Sequence, residues 1–323
     1  NASLSGADAW WGLPVAAETW DGWLNDINGF HVTDQHVFSA LDTAVGGPVP
    51  EGSVGGGTGM ICYEFKGGIG TSSRTVRLGD RSYTVGALLQ ANFGRRGQLT
   101  IAGAPVGREI PDLPAYADSG RPDSEQGSVI VVVGTDAPLL PHQLKRLARR
   151  VSLGLARTGA VSGNGSGDLF LAYSTANAGA WSPGAATQVD MLGNDQLDPV
   201  FAAVVEATEE AVVNALVAGR SMTGHLGRRV IALPHDRLQR ACGPRSAHAA
   251  HGLRHRAGRA QPGRRPGHGR FHDQVVPGGR GAGTGGLARR RGDRREFGAR
   301  ARLRLALRRS GLPAGAGAGT AGD

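Results

Sequence analysis

Residues 125–133 read Glu125-Gln126-Gly127-Ser128-Val129-Ile130-Val131-Val132-Val133, where a polar, proline-rich stretch runs into a string of β-branched residues. Such a string suits a strand covered on both faces. Upstream, residues 104–127 hold Pro105, Pro111, Pro114 and Pro122 among Gly107, Gly120, Asp112, Asp118, Asp123 and Glu125, a mix that neither extends a sheet nor buries a core. Ser128 therefore stands where a surface loop meets a core strand. Gly127 has no Cβ and can take backbone angles that bring the Ser128 hydroxyl to the carbonyl carbon of residue 127. An N-to-O acyl shift followed by hydrolysis would free an α-amine on Ser128. With a reference pKa of about 7.7 to 8.0, that amine could deprotonate its own hydroxyl near neutral pH. Taken alone, the same residues also fit an ordinary serine opening a strand.

Charge divides the chain in two. The 323 residues carry a net +9, yet residues 241–323 hold 18 Arg, no Lys and 4 acids, which is +14, while residues 1–240 carry 18 basic and 23 acidic side chains, which is −5. A basic tail invites a nucleic-acid reading through phosphate neutralisation. This one has no Lys and no repeat period, and its aromatic residues are Phe271 and Phe297. Its Gly, Ala, Pro and Arg are the residues of GC-rich codons read out of frame. The expectation is a disordered tail produced by a frameshift near Arg240, not a nucleic-acid partner. The two cysteines, Cys62 and Cys242, are too few for a disulfide framework or a zinc site, and Cys62 reads as a small buried hydrophobe. No signal peptide is visible, and no apolar run approaches the ~20 residues that span a bilayer. The expectation is a cytoplasmic protein with no membrane partner.

Periodicity predicts an α+β chain. Thr33 caps a helix over residues 34–44 with Val37 and Leu41 on one face. Strands are predicted over 60–65, 74–78, 83–90 and 98–102, with a hairpin turn at Gly79-Asp80, then over 128–133, 168–174 and 230–233. A helix opened by Pro141 carries Leu144, Leu147, Val151 and Leu155 at helical spacing, and a second runs from Leu197 to Val217 and ends at Gly219. Strands followed by long helices suit sheets layered against helices. The loop Gly55-Gly56-Gly57-Thr58-Gly59 lacks the Lys-Ser/Thr of a phosphate cradle and the context of a dinucleotide fingerprint, so it reads as a tight packing loop.

Six further strings occur in order: Ala17-Glu18-Thr19-Trp20-Asp21-Gly22, Leu24-Asn25-Asp26-Ile27-Asn28-Gly29-Phe30-His31, Gly55-Gly56-Gly57-Thr58-Gly59-Met60, Phe65-Lys66-Gly67-Gly68-Ile69-Gly70-Thr71, Thr135-Asp136-Ala137-Pro138-Leu139-Leu140-Pro141 and Ser162-Gly163-Asn164-Gly165-Ser166-Gly167-Asp168. Together they closely resemble the DmpA family of self-processing L-aminopeptidase / D-amidase-esterases, which includes the β-aminopeptidases. The likeness runs from about Gly12 to about Leu238. It implies a four-layer αββα sandwich, similar to N-terminal-nucleophile hydrolases with its own strand order, and no cofactor. It also implies a division into residues 1–127, the end of a larger subunit, and residues 128–240, a smaller subunit. Family members have a further segment of on the order of a hundred residues, about one domain, ahead of the stretch at Trp10-Trp11-Gly12-Leu13-Pro14-Val15, so a front segment is expected to be missing here. Small peptides, amino acid amides or esters are the implied substrates, and a homo-oligomer of processed pairs the implied assembly.

The resemblance carries roles onto particular residues. Ser128 matches the processing serine, with Gly127-Ser128 as the cleavage site. Ser166 and Asp168 match the positions that complete the catalytic constellation, a hydroxyl pinned by a carboxylate. Asn92, in Gln90-Ala91-Asn92-Phe93-Gly94, matches the oxyanion-stabilising asparagine, and Glu18 the acid that receives the substrate ammonium. Trp20, a substrate-binding position, and Trp23 stand where the family has or sometimes has Tyr. Trp keeps the flat wall and one N–H but cannot accept a hydrogen bond. Ser128 also separates this chain from the ornithine acetyltransferase-like enzymes of the same sandwich class, which process at Thr. Acyl transfer of that kind, or nucleic-acid binding through the tail, are the alternative functions.

Overall fold

The computed structural model describes residues 15–112, 114–116, 127–180 and 186–243. The Trp10–Pro14 stretch, the linker segment 117–126 and the tail from 244, with the disorder expected of it, lie outside the described residues. In chain order the elements are α1 (Asp34–Asp42), β1 (Ile61–Cys62), β2 (Phe65–Lys66), β3 (Gly68–Leu78), β4 (Arg81–Asn92), α2 (Val106–Glu109), β5 (Ser128–Thr135), α3 (Pro141–Arg157), β6 (Leu169–Ser174), α4 (Leu197–Ala218), β7 (Met222–Thr223), β8 (Arg229–Val230) and α5 (His235–Ala241). Among the described residues no helix is long and apolar enough to cross a membrane.

Four strands form the central sheet in the order β3-β4-β5-β6. The first two pairings are antiparallel, and β5 with β6 is parallel because α3 carries the chain back to the same edge. Gly79, at φ +59, makes the turn between β3 and β4. Val129, Val131 and Val133 interlock with Val85, Leu89 and Ala91 of β4 in one core with Leu147, Val151 and Leu155 of α3 and Val204, Ala211 and Leu216 of α4. Both long helices thus lie on one face of the sheet.

The opposite face is where the β-branched run departs from expectation. Ser128, Ile130 and Val132 are only half-buried there, beside Leu169, Leu171 and Tyr173 of β6, whose exposures run from 37% to 49%. Among the described residues this face has no second long sheet over it. The strand is therefore closed by helices on one side, and its nucleophile candidate stands on the other.

Three local predictions differ from the structure. The strand predicted over 60–65 is a hairpin, β1 and β2, turning at Tyr63 and Glu64 with φ of 50° and 60°. Left-handed non-glycine residues are costly; here the buried Arg96 guanidinium donates to the carbonyls of both. The strand predicted over 98–102 is instead a 3-10 turn, Arg96–Gln98, closed by the Gln98 side chain on the Arg95 amide at 2.7 Å, followed by a bridge between Ile101 and Ala104. Of the final strand predicted over 230–233 only Val230 is in a strand, the two-residue β8, which pairs with β7. Helix α1 forms as predicted, but Val37, Phe38 and Leu41 are all exposed.

Candidate active site

The sheet register sets the site. In the β4–β5 ladder Ser128 pairs with Asn92, so the residue that opens one strand faces the residue that closes the other, on the sheet face away from the helices. The Ser128 hydroxyl donates to the Gly127 carbonyl oxygen at 2.7 Å. The Gly167 amide donates to that same oxygen at 3.0 Å. The carbonyl of the predicted cleavage bond is thus held between the nucleophile's own hydroxyl and a backbone N–H.

Gly127 and Gly167 are glycine for reasons of space. A Cβ on Gly127 would lie 2.6 Å from the Asn92 carbonyl oxygen and 2.9 Å from the Phe93 Cα. On Gly167 it would lie 3.2 Å from the Ser128 Oγ. The turn before β6 therefore passes against the nucleophile. Its neighbours form the expected pair, with the Ser166 hydroxyl donating to Asp168 Oδ1 at 2.6 Å. Because β6 is parallel to β5, the turn that precedes β6 lies at the same sheet end as Ser128.

Asn92 is buried and oriented at both ends of its amide. Its Oδ1 accepts from the Ile61 N–H at 2.9 Å, and its Nδ2 donates to the Trp20 carbonyl at 2.8 Å. That second bond brings the loop carrying Glu18 and Trp20 to the site. The loop is pinned again at Thr19, whose hydroxyl donates to Met60 Sδ and accepts from Gln90 Nε2, both at 2.7 Å. Glu18 is exposed, and Trp20 is 45% exposed. Trp23 is held instead in an aromatic cluster, edge-on to Tyr116 at 5.0 Å and under the Arg228 guanidinium at 4.3 Å.

The structure thus brings Ser128, Gly127, Asn92, Ser166 and Asp168 to one end of the sheet and ties the Glu18–Trp20 loop to them. Sequence reasoning missed the Gly167 amide, because a backbone donor leaves no mark in residue type. The only available signal was a glycine inside the Gly165-Ser166-Gly167-Asp168 turn.

A serine at the start of an inner strand, with its preceding carbonyl gripped by an amide, places the molecule in the class of N-terminal-nucleophile-like folds. The L-aminopeptidase D-Ala-esterase/amidase of Ochrobactrum anthropi, described as a prototype of the serine aminopeptidases and a new variant among the Ntn hydrolase fold, superposes with a TM-score of 0.69 at 49% identity, covering 75% of this chain and 65% of that one. The fold is that variant, a mixed sheet packed by helices. The chain belongs to peptidase family S58, whose profile matches residues 2–230. The beta-peptidyl aminopeptidase BapA of Sphingosinicella microcystinivorans is 52% identical over 239 residues, 71% of this chain and 60% of that protein. BapA of Sphingosinicella xenopeptidilytica is 50% identical over 238 residues, 71% and 59%. A β-aminopeptidase from a Burkholderia species superposes with a TM-score of 0.64 at 50% identity, covering 72% and 65%. The chain spans about three fifths of the length of the curated relatives it matches.

Proposed function

We propose that this chain is a self-processing serine aminopeptidase that hydrolyses N-terminal amino acyl peptides, amides or esters through an acyl-enzyme on Ser128. The observation that carries this reading is the doubly held Gly127 carbonyl, with Ser128 Oγ and the Gly167 N–H both on its oxygen. In processing, Oγ bonds to the Gly127 carbon, the carbon–nitrogen bond to Ser128 breaks, and the hydroxyl proton passes to that nitrogen. Water then cleaves the resulting ester to leave a Gly127 carboxylate and a free Ser128 amine and hydroxyl. The Gly167 N–H supports the oxygen while it carries negative charge.

The freed amine becomes the base for the next nucleophilic attack by the same hydroxyl. In this reading the Ser166–Asp168 pair orients protons beside it. Asn92 has two N–H donors, one spent on Trp20, and the other is assigned to the substrate oxyanion. The larger subunit then ends at Gly127 and the smaller begins at Ser128. Assembly into a homo-oligomer belongs to the same proposal, supported by the apolar side chains left exposed around α1, Phe30, Val32, Phe38 and Leu41 among them.

Two measurements test it. Intact mass on the purified protein should show two fragments, the second beginning Ser-Val-Ile; a single uncut, active chain would sink the proposal. Amine selectivity is tested at Glu18. Because its carboxylate is exposed, its pairing with a substrate ammonium contributes up to about 1 kcal/mol, or about fivefold. Glu18→Gln should lower kcat/KM for an amino acyl p-nitroanilide by about that factor and leave the slow N-acetyl counterpart unchanged. Equal losses on both substrates would show that the ammonium is read elsewhere.

A further inference from the structure

Lys66 is fully buried, and its ammonium donates to three backbone carbonyls: Gly57 at 3.0 Å, Met60 at 2.9 Å and Gly67 at 2.9 Å. Those bonds use all three of its donors. Among the described residues no carboxylate pairs with it. A buried charge without a counter-charge is costly, and here the three carbonyls that it caps offset part of that cost. Besides those hydrogen bonds the ammonium sets positive charge against the carbonyls, and one of them leads to the site. The Met60 carbonyl and the Ile61 N–H belong to a single peptide group, and that N–H donates to Asn92 Oδ1 at 2.9 Å.

We propose that Lys66 is a positioning residue for Asn92, its charge relayed through the Met60–Ile61 peptide to the side-chain amide opposite Ser128. Pull on the Met60 oxygen makes the Ile61 N–H a stronger donor. Pull on Asn92 Oδ1 then makes the Nδ2 hydrogens stronger donors in turn. Chains of this kind strengthen each bond by about 10–30%. The same peptide meets the substrate-facing loop, since Met60 Sδ accepts from Thr19 between Glu18 and Trp20. Burial also pulls the Lys66 pKa down from its ordinary value to about 8, so the relay can be switched off at mild pH. Cys62, on the neighbouring strand, is the titratable group acting on it, and the glycine turn at Gly55–Gly57 and the link at Gly67 present backbone alone. The inference rests on the oxyanion assignment of Asn92 for its effect on turnover, though not for the coupling itself.

The test reads the coupling directly. In 15N-labelled full-length Ser128→Ala protein the residue 128 nitrogen stays in a peptide bond, so no α-amine titrates beside Asn92. The Asn92 side-chain amide protons should then move upfield with an apparent pKa near 8 as Lys66 loses its proton. Lys66→Met should abolish that titration. Cys62→Ala should leave it in place, and this variant decides the matter if Lys66→Met does not fold. Asn92 signals that stay flat from about pH 7 to 11, across both the lowered and the ordinary lysine ranges, would overturn the proposal. So would a titration that vanishes with Cys62→Ala.

In processed enzyme Lys66→Met should lower kcat by about two- to eightfold with little change in KM, that being the stated fraction of a typical oxyanion donor's contribution. It should cost almost nothing more in an Asn92→Ala background, and full additivity would overturn the relay. An Asn92→Ala enzyme with unchanged kcat, beside a clear titration, would remove the oxyanion assignment while upholding the Lys66–Asn92 coupling.

Discussion

Ser128→Ala is expected to leave one uncut chain with nearly all turnover lost. The substitution removes the atom proposed to attack the Gly127 carbon, and with it the α-amine that processing would release. On that proposal nucleophile and base are lost together. Removing the serine of a comparable hydrolase lowers kcat by roughly 10⁶-fold, and a loss on the order of 10⁴ to 10⁶ is expected here. The measurements are a denaturing gel with intact mass and kcat/KM on an amino acyl p-nitroanilide. Ser128→Thr serves as the folding control. It keeps a hydroxyl at the same strand position and should process slowly, and a processed or active Ser128→Ala protein would refute the assignment.

The second large effect is expected at Gly127. A methyl there would stand 2.6 Å from the Asn92 carbonyl oxygen and 2.9 Å from the Phe93 Cα, both backbone atoms of the paired strand. Something must shift, and the group nearest the clash is the carbonyl that Ser128 and Gly167 hold. A displacement of about 1 Å from attack geometry costs on the order of 10²-fold. Gly127→Ala should therefore slow the appearance of the two fragments by about that factor in a time course followed by gel. After the cut, residue 127 is only the end of the first piece, so processed Gly127→Ala enzyme should turn over external substrate nearly normally. Processing at the original rate would show that the tight fit at Gly127 is irrelevant to the cut.

Much of this was legible from residue order. The β-branched run, Pro141 at the start of a helix and the Leu147-Val151-Leu155 spacing each depend on local chemistry, and each element lies where that chemistry puts it. What was not legible depends on partners distant in the chain. Nothing in Tyr63-Glu64 announces a hairpin, since such turns favour Asn-Gly. The turn exists because Arg96, about thirty residues on, receives its two carbonyls. The pairing of Asn92 with Ser128 likewise follows from the register of two strands separated by a long loop. Motif spacing pointed to residues that the structure gathers at one sheet end but said nothing of the Gly167 amide or the Lys66 ammonium, whose contacts are to backbone atoms. Glu18 was named by the resemblance, and its exposure became visible only in three dimensions.

The β4–β5 ladder runs across the proposed cleavage site, from Val85 opposite Thr135 to Asn92 opposite Ser128. Helix α4, from beyond the cut, packs on β3 and β4 from before it. Scission therefore releases nothing while the fold stands. It changes what happens once the fold is lost. An uncut molecule refolds as one chain at any dilution, whereas two severed pieces must first find each other. Their recovery then becomes second order and fails at low concentration. If the chain is cut as proposed, persistence of the mature form would be governed by how slowly it opens, rather than by the depth of its equilibrium.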